Sequence, residues 1–227
     1  MIHIPDLLDT ARSGGPIPIH LNIGDRAARL QFKRERFGSD PDLGGTLIFE
    51  EEEAPLLAMC EWSREVEHDL FRFQWRLLCR GQVDGAIREV CFADIHGQGS
   101  ADCTVHGWNG GNVYRDGRNA AKGVYPAHEF REWEQSLADG PCSIAEPKGR
   151  ASETYLPIWI VEGRGAGFWI GPEWSGSWTM EATGGDGGLR MKIGLPNLDF
   201  EIMQGEEIPL PAVCMGNFTG GFRDGCV

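Results

Sequence analysis

Between Trp174 and Ile193 the side chains alternate in period two around a run of glycines. Trp174, Gly176, Trp178, Met180 and Ala182 fall on one face, and Glu173, Ser175, Ser177, Thr179 and Glu181 on the other. Such a rhythm makes a half-buried strand, because successive side chains point to opposite sides of an extended backbone. Gly184-Gly185-Asp186-Gly187-Gly188 supplies a turn. Leu189, Met191 and Ile193 then resume the pattern against Arg190 and Lys192. A chain built this way is committed to antiparallel sheet.

The same rhythm recurs from end to end. Ile17 to Ile23, Ala28 to Lys33, Asp69 to Arg80, Thr154 to Val161, Ala166 to Gly171, Leu198 to Met203 and Ile208 to Met215 all read as strands. Ala86 to Ile95 is apolar on parts of both faces, which marks a central strand. Ala127 to Leu137, after Pro126, places Phe130, Trp133 and Leu137 at helical spacing and predicts one short helix. The acidic run Glu50 to Glu53 reads as a solvated loop or edge. Gly97 to Arg118 is too broken by glycine for a long strand. Many short strands joined by turns predict an all-β, two-sheet antiparallel sandwich with at most one short helix.

Charge and cysteine content narrow the function classes. The 227 residues carry 21 basic and 34 acidic side chains, a formal charge of −13. That surface repels phosphate backbones and anionic lipid, so neither a nucleic acid nor a membrane is the expected partner. Met1 to Gly15 holds Pro5, Asp6 and Asp9 and lacks a signal-like apolar run. Seven scattered cysteines without a C-x-x-C pair fit free thiols and a cytoplasmic location.

The chemical motifs are sparse. Cys91, His96, Cys103 and His106 lie close in sequence, but zinc sites show tighter pairs, and no metal or other cofactor is expected. Ser175 lacks the G-x-S-x-G elbow. Gly163, Gly165 and Gly167 fail the G-x-G-x-x-G spacing and lie between strands. Glu173, Glu181, Asp116 and Asp94 form no pair that spacing identifies, and no catalytic residue is assigned. Tryptophan stacking on a sugar is the better physical idea, since an aromatic face covers the C–H face of a pyranose while amides catch hydroxyls. Trp108, Asn109 and Asn112 combine those groups on an irregular loop and are the predicted carbohydrate-binding residues. Trp174 and Trp178 share a face with Met180 and Ala182 and are predicted core.

Three segments resemble a known family. Gly149-Arg150-Ala151-Ser152 with Leu156-Pro157-Ile158-Trp159, Ile170-Gly171-Pro172-Glu173-Trp174-Ser175-Gly176-Ser177-Trp178, and Gly205-Glu206-Glu207-Ile208-Pro209-Leu210-Pro211 occur in the order seen in α-galactosidase-like enzymes of glycoside hydrolase family 36. The resemblance is best from Gly149 to Val227 and lies in their N-terminal β-supersandwich, the galactose mutarotase-like fold. It implies that residues 1–227 form one supersandwich domain, the N-terminal part of a larger enzyme whose catalytic aspartates lie in a downstream (β/α)8 barrel. The expected role is non-catalytic: to brace the barrel, to shape the substrate mouth with Trp108, Asn109 and Asn112, and to support a homo-oligomer. Two rivals stand beside it. One is a stand-alone carbohydrate-binding module. The other is a mutarotase-like epimerase, for which His96, His106 and Glu173 are the acid and base candidates.

Overall fold

A computed structural model describes residues 17–38, 40, 42–67, 69–97, 102–109, 132–147, 149, 152, 154–185 and 188–226. The first half contains β1 (His20–Ile23), β2 (Arg26–Ala27), β3 (Leu30–Phe37), β4 (Gly44–Glu51), β5 (Leu56–Glu65), β6 (Leu70–Cys79), β7 (Ile87–Gly97) and β8 (Thr104–Trp108). The second contains β9 (Glu132–Ser136), β10 (Cys142–Glu146), β11 (Trp159–Glu162), β12 (Ala166–Glu173), β13 (Trp178–Thr183), β14 (Leu189–Gly194), β15 (Asp199–Phe200) and β16 (Glu207–Thr219). A short 3-10 helix, Phe222–Cys226, follows β16.

The strands form two antiparallel sheets, as the alternation predicts. A seven-stranded sheet runs β10-β13-β14-β7-β1-β2, with β15 also on β7. A nine-stranded sheet runs β3-β4-β5-β6-β16-β12-β11-β8-β9. Their facing sides share one hydrophobic core that includes Phe49, Phe73, Trp75, Phe92, Trp159 and Trp178. β6 shows how the sequence produces this: Phe71, Phe73, Trp75, Leu77 and Cys79 are buried while the residues between them are half-exposed. β7 lies inside its sheet, with Phe92, Ala93, Asp94 and Ile95 all buried.

β16 carries Pro209 and Pro211, which cannot donate to a ladder. Its register against β6 shifts between Pro209 and Ala212, and the Gln74 amide donates to the stranded Leu210 carbonyl at 2.9 Å. The bulge is therefore a consequence of the prolines.

Three expectations are corrected. The residues expected to end a helix, 132–137, instead form β9 and its exit. Trp133 and Leu137 lie four apart, which is one face of a helix and also one face of a strand. Pairing of β9 along β8, with Gly107 opposite Trp133, selects the strand. A Cβ on Gly107 would sit 2.3 Å from the Trp133 ring, so glycine makes room for that indole. Residues 127–131 lie outside the described set.

The strand expected from Trp174 to Ala182 is divided. β12 ends at Glu173 in one sheet and β13 begins at Trp178 in the other, so residues 174–177 are the crossing between layers. Trp178 is fully buried as predicted, but Trp174 is 42% exposed. Its indole N–H donates to the Ser177 carbonyl at 3.0 Å.

The acidic run is only partly solvated, because Glu51 is buried. Its carboxylate accepts from the Arg26 guanidinium (2.6 Å) and from the backbone N–H groups of Arg29, Glu53 and Ala54. Burial opposes its charge, yet Arg26 and these amides outweigh that and hold the carboxyl below its usual range. Glu51→Ala leaves a guanidinium and three amides to find water, and should cost about 1–3 kcal/mol in urea unfolding. Because the folded pKa is depressed, this contribution is present above the unfolded value of about 4.3 and fades as pH falls through the folded one.

Candidate functional site

The outward side of the nine-stranded sheet has two unlike halves. Across β6, β16 and β12 it is charged and self-paired. Arg72 grips Glu173 through Nε (3.0 Å to Oε1) and Nη2 (2.9 Å to Oε2), and the Cys214 thiol donates to the same carboxylate at 2.9 Å. Arg76 bonds Glu207 at 2.8 Å and Glu61 at 3.1 Å. The Arg72 fork keeps the Glu173 carboxyl below its usual range. Burial, with Glu173 adding to it, pushes the Cys214 thiol up to about 12, so it is no nucleophile at neutral pH.

Between Trp108 on β8 and Trp169 on β12 the same side holds an apolar strip. Register places His106 beside Ile160, Ile160 beside Trp169, and Trp169 beside Gly216. A Cβ on Gly216 would lie 2.7 Å from the Trp169 indole nitrogen, so that ring rests flat over the glycine. Trp108 lies two residues beyond His106 and therefore shares its face. Trp108, Leu156, Ile158, Ile160 and Trp169, with Gly225 and Cys226 at one end, line an open groove of about 540 Å³.

The 3-10 helix clasps one end of this groove. Phe222 stacks on His106 with ring centroids 4.2 Å apart and planes at 14°, and it tilts against Trp108 at 5.8 Å. Arg223 lies over the same phenyl ring and 3.7 Å from Glu132. His106 is buried, with Nε2 3.3 Å from Glu162 and Nδ1 3.7 Å from Glu134. Among the described residues neither ring nitrogen meets a partner in hydrogen-bond geometry.

A second constellation sits on the outward side of the seven-stranded sheet. Asp94 on β7 has a side chain only 1% exposed. Arg190 on β14 donates to it through Nε (2.8 Å) and Nη2 (2.6 Å). His20 Nε2 on β1 lies 2.6 Å away and His96 Nε2 lies 3.4 Å away. Burial alone would raise the Asp94 carboxyl. The Arg190 fork and His20 overcome it and hold the group well below the usual carboxylate range.

These positions sort the sequence candidates. Trp108 lines the groove. Asn109 is drawn into a backbone bridge with Tyr155, next to a 2.9 Å bond from the Leu156 N–H to the Trp108 carbonyl. Asn112 and Asp116 lie outside the described residues. Cys91 and His96 belong to one sheet, while Cys103 and His106 belong to the other. Among the described residues no group of three or more His, Cys, Asp or Glu converges on a metal-sized space. His96, His106 and Glu173 are likewise split between sheets. Glu173 and Asp94 each face an arginine rather than another carboxylate. Ser175 lies on the crossing between layers, and Gly163, Gly165 and Gly167 lie at the β11–β12 hairpin.

The groove and the Asp94 cluster were not singled out in the sequence. One signal was there for the groove: Ile158-Trp159-Ile160-Val161 is apolar on both faces, so its outward side is not built for water. The Asp94 cluster carries no local signal, because its members come from three strands.

The fold has counterparts among solved structures. The galactosidase domain of the α-galactosidase-sucrose kinase AgaSK matches with TM-score 0.69 and 19% identity, over 91% of this chain and 30% of that one. The GH36 α-galactosidase AgaA from Geobacillus stearothermophilus matches with TM-score 0.71 and 12% identity, over 92% and 31%. The α-galactosidase from Lactobacillus brevis matches with TM-score 0.68 and 12% identity, over 91% and 29%. No family model and no curated protein matches the sequence. At these identities the likeness establishes the fold: an all-β supersandwich of the kind that forms one domain of GH36 α-galactosidases. The chain spans about 30% of the length of the enzymes it matches. No helix among the described residues is long and apolar enough to cross a membrane.

Proposed function

We propose that the chain works as the non-catalytic N-terminal domain of an α-galactosidase-like glycoside hydrolase, where it braces a (β/α)8 barrel and helps shape the substrate mouth. The observation that carries this is the fold shared over 91% of this chain with only 30% of an α-galactosidase. The carboxylates support it, since Glu173 and Asp94 are each closed by an arginine fork. Hydrolysis of a glycosidic bond needs two carboxyl groups facing each other across the bond, and in the parent enzyme those belong to the barrel. All seven cysteines are free, which suits a reducing cytoplasm. The test compares this chain with the product of its complete reading frame on p-nitrophenyl α-galactoside. Hydrolysis is expected from the complete product and none from the chain alone. Turnover or mutarotation of a sugar by the chain alone would overturn the reading.

The second reading, a free-standing sugar-binding module, draws on the half-buried Trp108 beside Asn109 and the Trp169 indole in an open groove. Calorimetric titration of the chain with galactose and raffinose separates the two. The accessory-domain reading expects no heat of binding at millimolar sugar, and Trp108→Ala should leave the trace unchanged. Binding that Trp108→Ala abolishes would establish the module instead.

A further inference from the structure

We infer that His106 is a proton-operated latch for the 3-10 helix Phe222–Cys226: a proton on the imidazole ties the helix down beside Trp108, and its loss loosens it. The starting point is a buried ring that its neutral form leaves unsatisfied. The His106 side chain is 7% exposed, and among the described residues neither nitrogen has a hydrogen-bond partner. The nearest polar groups are both carboxylates, Glu162 at 3.3 Å from Nε2 and Glu134 at 3.7 Å from Nδ1. Carboxylates accept and do not donate, so a neutral imidazole, with one N–H, serves only one of them. An imidazolium serves both.

Every element around the ring takes part. Register sets His106 opposite Glu134 on β9 and opposite Ile160 on β11, with Glu162 two residues further along the same face. The Glu134 side chain is 73% exposed, so it swings toward the ring without disturbing the core. Glu162 also reaches the helix entry, where a Cβ on Gly221 would lie 3.5 Å from its Oε1. Phe222 covers the imidazole nearly face to face, and a phenyl face attracts a cation more than a neutral ring. Arg223, 5.4 Å from the centre of that phenyl ring, opposes a second positive charge, but Glu132 lies 3.7 Å from it. The Asp224 carboxylate is taken by the Gly221 N–H at 2.9 Å. Glu132, Glu134 and Glu162 thus outnumber Arg223, and a proton on His106 adds net attraction across the clasp.

The latch governs access to Trp108. Phe222 tilts against that indole, and Gly225 and Cys226 close the same end of the groove. The added hold on the helix is present while His106 carries its proton and is lost as pH rises through the imidazole titration. A histidine ordinarily titrates near pH 6.5, so the change falls within a range that cells and their surroundings visit.

Hydrogen exchange of the Asp224 amide, which donates to the Gly221 carbonyl at 2.9 Å, reads the state of the helix. Rates at about pH 5.5 and about pH 8 are each divided by the intrinsic rate at that pH. Protection should be about fivefold higher at the lower pH. Ordinary carboxylates stay ionised across that interval, and burial holds the Cys226 thiol above its usual range. His106→Gln should remove the step, and Glu134→Gln should shrink it. His96→Gln, on the other sheet, should leave it intact. Equal protection at both pH values in the unaltered chain would overturn the latch. So would a step that survives His106→Gln or disappears with His96→Gln. Should His106→Gln fail to fold, the exposed Glu134→Gln carries the test, and an undiminished step there would overturn the assignment.

Discussion

Replacing Asp94 with Asn should remove about 3 kcal/mol of stability, read as a lower urea midpoint at unchanged slope. The carboxylate is buried against two Arg190 donors and His20, with His96 Nε2 3.4 Å away. The amide keeps the shape, but it turns an NH2 toward donors that need an acceptor and leaves the guanidinium without a counter-charge. The low end of the range for a broken buried pair applies, because the Arg190 side chain is 42% exposed and water takes up part of its charge. Pairing Asp94→Asn with Arg190→Met should recover much of the loss, since the second change removes the orphaned cation. The pH dependence follows from the depressed folded pKa. Asp94 contributes fully above its unfolded value of about 4, and the contribution is lost as pH falls through the folded value. The wild-type advantage over Asp94→Asn should therefore shrink as pH falls below about 4. A variant as stable as wild type at neutral pH would show that the cluster does not hold β1, β7 and β14 together.

The elements legible in the sequence were those whose two faces differ. β6 and the β13–β14 hairpin each bury one face on the core and leave the other more exposed, so their alternation survives in the chain. β7 was legible as a central strand for the complementary reason. What failed was decided by pairing rather than by period. Trp133 and Leu137 satisfy helix and strand equally, and only β8 chooses between them. Glu51 looks like its acidic neighbours until Arg26 and three amides surround it. His20, Asp94 and Arg190 meet because the sheet order β14-β7-β1 brings together residues up to 170 positions apart, and local rhythm carries no trace of that order. Trp108 was legible as an aromatic worth noticing. Its neighbours in space, Ile158, Ile160 and Trp169, come from distant parts of the chain, so local rhythm carries no trace of the groove they share.

Trp178→Ala should cost about 3–5 kcal/mol, while Trp174→Ala should cost about 1 kcal/mol or less. The two residues lie four apart on one predicted face, so periodicity alone expects equal losses. Trp178 is at 0% exposure between the sheets, and removing its indole leaves a cavity that a two-layer core cannot collapse to fill. Trp174 sits on the crossing from β12 to β13, with its ring over Gly176 and its N–H on the Ser177 carbonyl. Its loss forfeits one partly exposed hydrogen bond and some surface contact, which water largely replaces. Urea unfolding followed by circular dichroism avoids reporting through the deleted fluorophore. A tenfold change in the folding equilibrium corresponds to about 1.4 kcal/mol, so the expected gap between the variants exceeds one decade. Equal losses would mean that Trp174 is core after all and that the strand runs unbroken through residues 174–177. That result would return the segment to one sheet and undo the crossing on which the two-layer topology depends.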